Sequence, residues 1–226
     1  AFAKLYQQIK KGIAGDKIAE LLALKNFEFE STYPLSRQVL LESQILQLLN
    51  ISKLPDNAVA HQIKNLNLQQ FSSLLSKVSV AEISTYMQNV LLRDTDQMSM
   101  ASALEVRVPF LDYHLVEYAL SVPDHFKYPT SPKKLLIDAL GDLLPNEIVN
   151  RPKMGFTLPW KHWMKNEMKQ FCAERLESFA ARELVNATQI KAMWNAFLKD
   201  DPRITWSRIW YLVVLENWLI QNNIQD

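Results

Sequence analysis

Leu91–Asp112, LLRDTDQMSMASALEVRVPFLD, mixes charge and apolar bulk along one short run. Asp94, Asp96, Glu105, Arg107 and Asp112 sit among Leu91, Leu92, Met98, Met100, Leu104, Val106, Val108, Phe110 and Leu111. The small residues Ser99, Ala101, Ser102 and Ala103 let a helix pack closely there. Pro109 disfavours the helical region for the residue before it and pushes Val108 towards an extended conformation. Asp112 stands where its carboxylate caps a helix through Leu115, Val116, Tyr118, Ala119 and Leu120. The run therefore predicts a helix, a short extended link, an aspartate cap and a second helix. Charges set in an apolar link need partners or a cleft, because burying them unpaired costs several kcal/mol.

The rest of the composition narrows the class. A chain of 226 residues suits one large domain or two small ones. Its 48% hydrophobic and 22% charged content is that of a globular protein with a sizeable core. A net charge of +1 gives no electrostatic case for nucleic acid or an acidic membrane. Cys172 is the only cysteine, which excludes an intramolecular disulfide and a cysteine-cluster metal site. His61, His114, His125 and His162 show no ligand spacing, so no metal site is expected. The most apolar stretch, Ile204 to Ile220, is broken by Arg208 and Glu216 and reads as a buried helix, not a membrane span. No signal peptide is visible, and the expected compartment is the cytoplasm. There are only four glycines, too few and too scattered to build a phosphate-binding loop.

Periodicity along the chain is helical, with no strand alternation and no hairpin turn. The fold class is all-α, and residues 1–226 are expected to form a single helical domain. Phe2 to Phe27 reads as helix broken at Gly12 and Gly15, with Asp16 capping Lys17 to Leu24. Asn26 to Pro34 reads as a loop. Ser36 opens a helix through Val39, Leu40, Ile45 and Leu49, Asp56 is a candidate cap, and Gln69 to Lys77 is helical. Ser79 with Glu82 has capping-box spacing before Ile83, Met87, Val90 and Leu91. Pro123 to Pro132 reads as a loop, with Ser131-Pro132 as cap and first-turn proline of a helix reaching Leu143. A short helix follows Pro145, and Gly155 is expected to supply unusual backbone geometry. Trp160 to Arg182 is helical, Thr188 caps Gln189 to Leu198, and Ile204 to Asn222 closes the chain.

Two blocks resemble the synthetase domain of glutamine-hydrolysing asparagine synthetases. The first is Asp96, Ser99-Met100-Ala101, Leu104-Glu105, Arg107 and Pro109-Phe110-Leu111-Asp112. The second is Lys133-Lys134-Leu135-Leu136, Ala139-Leu140, Leu144-Pro145, Ile148, Arg151-Pro152-Lys153 and Gly155-Phe156. Their order and spacing make the resemblance more specific than one short motif. It covers roughly Tyr86 to Trp163.

The resemblance implies the helical C-terminal portion of a PP-loop synthetase domain of the adenine-nucleotide α-hydrolase type, with the nucleotide-binding sheet absent. It implies ATP-dependent amide formation, aspartate becoming asparagine through a β-aspartyl-adenylate attacked by glutamine-derived ammonia. Lys133 matches the family lysine that stabilises the activated intermediate and departing phosphates, a task suited to a mobile point charge. Lys134 is its immediate neighbour. Asp96 matches an acidic residue near the nucleotide. Glu105 and Arg107 are expected as a buried or half-buried pair fixing the link, and Arg151 and Lys153 either as phosphate-facing cations or as donors to helix-end carbonyls. Gln97 and Ile137 stand where the family commonly has Arg. They keep open a β-lactam or peptide macrocyclase type of amide synthetase; a non-catalytic helical docking domain is a separate alternative, favoured if the parent protein lacks an upstream Ser-Gly-Gly-x-Asp-Ser.

The family's Ser-Gly-Gly-x-Asp-Ser loop and its Gly-rich acidic segment do not occur here. The chain is therefore expected to be a C-terminal fragment, inactive alone. ATP and magnesium would be bound mainly by upstream parts of the same protein, the glutaminase and pyrophosphate-loop portions. Losing those parts would leave an apolar face open to self-association as a homodimer.

Overall fold

The computed structural model describes residues 13–128, 133–152, 154–155 and 157–225. In chain order the helices are Ile13–Leu21 (α1), Phe29–Arg37 (α2), Glu42–Leu48 (α3), Ala58–Asn65 (α4) and Leu74–Glu82 (α5). A π-helical segment, Ile83–Leu92, carries α5 without a break into Arg93–Met100 (α6). Tyr113–Ser121 (α7), Asp124–Lys127 (α8), Lys134–Leu140 (α9) and Asn146–Val149 (α10) follow. The last are Trp160–Lys165 (α11), Lys169–Ala180 (α12), Ala187–Leu198 (α13) and Trp206–Gln221 (α14). Among the described residues there is no strand; one antiparallel bridge joins Leu49 to Val185. The fold is all-α. By contact the chain gathers into two compact units, Ala1–Ala60 with Thr157–Asp226, and His61–Phe156.

In the first unit α12 packs on both α13 and α14, and α3 packs on α13. Met164, Cys172, Leu176, Phe179, Ile190, Phe197, Ile209, Leu212 and Val213 are buried together. Each large apolar side chain of this kind contributes roughly 1.5–3 kcal/mol. On α14 the buried positions 209, 212, 213 and 216 recur at helical spacing, so Glu216 lies on the core face. The two charges that interrupt the apolar run are both buried and both paired. Glu216 accepts from Arg182 Nε at 2.6 Å and Nη2 at 3.3 Å, and from Ser178 Oγ at 2.6 Å. Arg208 donates to the Val39 and Arg203 carbonyls at 3.1 and 2.7 Å and lies 3.5 Å from Asp16. Burial pushes the Cys172 thiol up to about 11.

Scarcity of glycine shows at the helix ends. After α6 the Leu104 amide donates to Ser99 and the Ala103 amide to Met100, both at 2.9 Å. The same paired bonds close α13 through Asp201 and Asp200, and α14 through Ile224 and Asn223. The left-handed position of such a turn normally takes glycine. Here Ala103, Asp200 and Asn223 occupy it, at φ 54°, 62° and 53°.

Several sequence expectations change at element boundaries. Gly15 and Asp16 lie inside α1, whose Asp16 carboxylate is taken by Gln44 and Arg208 rather than by a cap. Residues 29–37 are helical despite Pro34, because Phe29 and Tyr33 stack at 5.3 Å and Tyr33, Pro34 and Leu35 are buried. The helix expected from Ser36 begins at Glu42, with Gln38 extended ahead of it. Asn57, not Asp56, accepts from the Ala60 amide at α4. Asn186, not Thr188, caps α13. Ser79 and Glu82 sit within α5, where the Ser79 hydroxyl donates back to Leu75, so they form no capping box. Residues 124–127 form a short helix inside the expected loop, and residues 166–168 interrupt the expected 160–182 helix. The described glycine with positive φ is Gly141, not Gly155. Ser131-Pro132, the expected cap of α9, lie outside the described residues.

Candidate functional site

Both motif blocks lie in the second unit. Asp94 and Asp96 are on α6 and exposed. The turn at Ala103 ends that helix and releases the link 104–108, after which Pro109–Leu111 makes one 3-10 turn. Asp112 then accepts from the His114 and Leu115 amides at 3.0 and 3.3 Å and starts α7. This is the order the sequence predicts for the run. Glu105 and Arg107 do meet, at 2.9 Å, but on the surface, with side chains 72% and 85% exposed. An exposed pair two residues apart along an extended link has water for its remaining donors and acceptors, so it is not the buried pair expected. Such a pair contributes about 0–1 kcal/mol.

The second block begins at Lys133, which is exposed, immediately precedes α9 and adopts φ 63°. A bulky residue in the left-handed region is strained by about 1–2 kcal/mol, and such strain concentrates at functional positions. Lys134 differs from its neighbour: its ammonium pairs with Asp138 one turn on. No hydrogen bond or ion pair among the described residues joins Lys133 to Asp96, Glu105, Arg107 or Arg151. Arg151 is exposed just after α10. Lys153 lies outside the described residues.

What holds the two blocks in one unit was not legible in either motif. Asp124, at the start of α8, bridges to the start of α5. It accepts from the Ser76 amide at 3.0 Å and from the Ser73 and Ser76 hydroxyls, and it pairs with Lys127 at 3.3 Å. Burial alone would raise this carboxyl, but the Ser76 and Lys127 bonds prevail and hold it below the ordinary carboxylate value. It thus serves as a cap from another helix, satisfying a first-turn amide of α5 with a negative charge. α8 in turn packs on α9, which begins at Lys134 directly after Lys133. The available signal was an acid following Pro123 near a serine-rich stretch, too common to single out.

Much of the apolar bulk of the first block is open to solvent. Met98, Leu104 and Phe110 are 71%, 60% and 69% exposed, so these residues are not the core of this chain. Among the described residues no cluster of His, Cys, Asp or Glu is placed to hold a metal ion, and no helix is long and apolar enough to cross a membrane.

Comparison with known proteins bears on what this surface serves. Residues 5–220 match the family described as Asparagine synthase. The chain belongs to the asparagine synthase family. Asparagine synthetase [glutamine-hydrolyzing] 1 of Bacillus subtilis is 29% identical over 145 residues, 64% of this chain and 23% of that protein. Asparagine synthetase [glutamine-hydrolyzing] 3 of the same organism is 45% identical over 72 residues, 31% of this chain and 12% of that protein. Amidase chyE of Penicillium rubens is 34% identical over 131 residues, 52% of this chain and 19% of that protein. The chain thus matches about a quarter or less of the length of these curated relatives. No solved structure matches it.

Proposed function

We propose that this chain is the helical C-terminal portion of an asparagine synthetase of the glutamine-hydrolysing type. In the whole protein, the aspartate side-chain carboxylate attacks the α-phosphorus of ATP and pyrophosphate leaves. Ammonia released from glutamine then attacks the acyl carbon, AMP leaves and the amide of asparagine remains. The observation that carries this reading is the family match over nearly the whole chain. Both units belong, on this reading, to one helical region of the synthetase domain.

This chain's own residues contribute positive charge. Lys133 meets the negative charge that develops as pyrophosphate departs. Support comes from its exposure, its strained backbone and its freedom from partners among the described residues. Lys134 is held by Asp138 and serves the helix instead. Arg151 and Lys153 add positive charge at the phosphate side. Asp96, Glu105 and Arg107 line the nucleotide side of the link, with Glu105 holding the Arg107 fork. Upstream parts of the same protein supply the glutaminase, the pyrophosphate loop and the binding of magnesium. They also cover the apolar side chains around Met98, Leu104 and Phe110, which otherwise favour self-association. Alone, the chain is inactive.

The test is product stoichiometry in the whole protein. Glutamine, aspartate and ATP should yield asparagine, AMP and pyrophosphate in equal amounts. ADP in place of AMP, or AMP without asparagine, would refute the reading.

A further inference from the structure

A cleft in the first unit, far from both motif blocks in sequence, carries a second inference. It has a volume of about 740 Å³ and is walled by α1, α3, α13 and the 201–208 segment. That size suits a small molecule. Arg208, 1% exposed, is part of its wall. The guanidinium uses Nε on Val39 and Nη1 on Arg203, while Nη2 is buried without a partner among the described residues. Buried donors are seldom left unpaired, and a guanidinium least of all.

The carboxylates of the wall are already engaged. Asp16 accepts from Gln44 and faces Arg208 Nη1, Glu20 accepts from Ser43, and Asp201 accepts from Arg203. The remaining demand is for an acceptor at Arg208. Leu40, Ala19, Ala192, Met193 and Ala196 give the same cleft an apolar side. Three carboxylates against two guanidiniums leave the wall slightly negative, which disfavours phosphate and dicarboxylates.

We infer that this cleft binds a small, largely apolar monocarboxylate, with its carboxylate on Arg208. One carboxylate oxygen accepts a charge-assisted bond from the remaining Nη2, and the apolar body matches the alanine and methionine side. The inference is independent of the role given to Lys133, which lies in the other unit.

The chain is titrated with 3-phenylpropionate, with 3-phenylpropanamide and with inorganic phosphate, while the Arg208 side-chain nitrogen signals and the thermal midpoint are followed. The acid should shift the Arg208 signals saturably and raise the midpoint. The amide should bind at least about tenfold more weakly, because it lacks the charge that strengthens the bond to arginine, and phosphate should not compete. Ala192→Trp fills the cleft from an exposed position and leaves Arg208 in place. It should keep the fold by circular dichroism and lose acid binding. Equal binding of acid and amide, competition by phosphate, undiminished binding by the folded Ala192→Trp chain, or no saturable shift at Arg208 would each overturn the inference.

Discussion

Lys133 and Lys134 are adjacent and chemically identical, yet their surroundings separate them. One is strained and free among the described residues; the other is bound to Asp138. Lys133→Gly should therefore stabilise the chain slightly while removing the charge, because glycine accepts φ 63° without strain. Ala103→Gly follows the same physics, relieving about 1–2 kcal/mol of left-handed strain against about 0.5–1 kcal/mol of added chain entropy. Urea denaturation should show a net gain of about 0.5–1 kcal/mol; a loss would mean that Ala103 is not strained. Glu216 behaves oppositely. Glu216→Ala leaves Arg182 without the carboxylate that pairs it and should cost about 3–5 kcal/mol in the same assay. Cys172 is buried, and its thiol is pushed up to about 11, so a thiol reagent at pH 8 should modify it only after unfolding. Modification at the same rate in the native chain would contradict its placement.

Among the elements, the helix from Leu74 to Met100 is the one that carries the start of the first motif block. Its middle is π-helical, and polar side chains hold the carbonyls of the looser turns. Thr85 donates to Ala81 at 2.6 Å, Asn89 to Ser84 at 3.4 Å and Thr95 to Leu91 at 2.7 Å. Amides of residues 83–92 should exchange with deuterium faster than those of α5, since looser turns open locally at lower cost. The start of that helix depends on Asp124. Because the Asp124 carboxyl titrates below its ordinary value, its contribution is fully present above about pH 4. It is lost as pH falls through its own lower value. Asp124→Asn should flatten the acid limb of a stability–pH curve; an unchanged limb would mean that the cap contributes nothing. Periodicity made the helices themselves legible: the run 91–112 and the short helix after Pro145 came out in the predicted order, and Arg208 and Glu216 marked α14 as a buried helix. The boundaries were harder. Asp16, Ser79 and Thr188 have cap chemistry, but a cap is decided by which amide lies within reach. Tertiary partners had already claimed Asp16, while Asn186 was better placed than Thr188. Likewise Pro34 sits within α2 because stacking and burial outweigh its missing donor.

At the scale of the whole molecule, two all-α units carry different burdens. The first has a dense core with buried, paired charges. The second presents motif residues and apolar side chains on its surface. That difference is physical sense for a chain that matches about a quarter or less of its relatives' length. The family was legible in the sequence because two blocks keep the family's order and spacing despite Gln97 and Ile137. The exposure of Glu105 and Arg107 was not, because adjacency along the chain says nothing about what covers a pair. The most direct test of the account is aspartate-dependent exchange of labelled pyrophosphate into ATP by the whole protein, with Lys133→Met and Lys134→Met beside it. Exchange should be lost in Lys133→Met and largely kept in Lys134→Met. Exchange that survives Lys133→Met in a folded protein, or that never depends on aspartate, would contradict it.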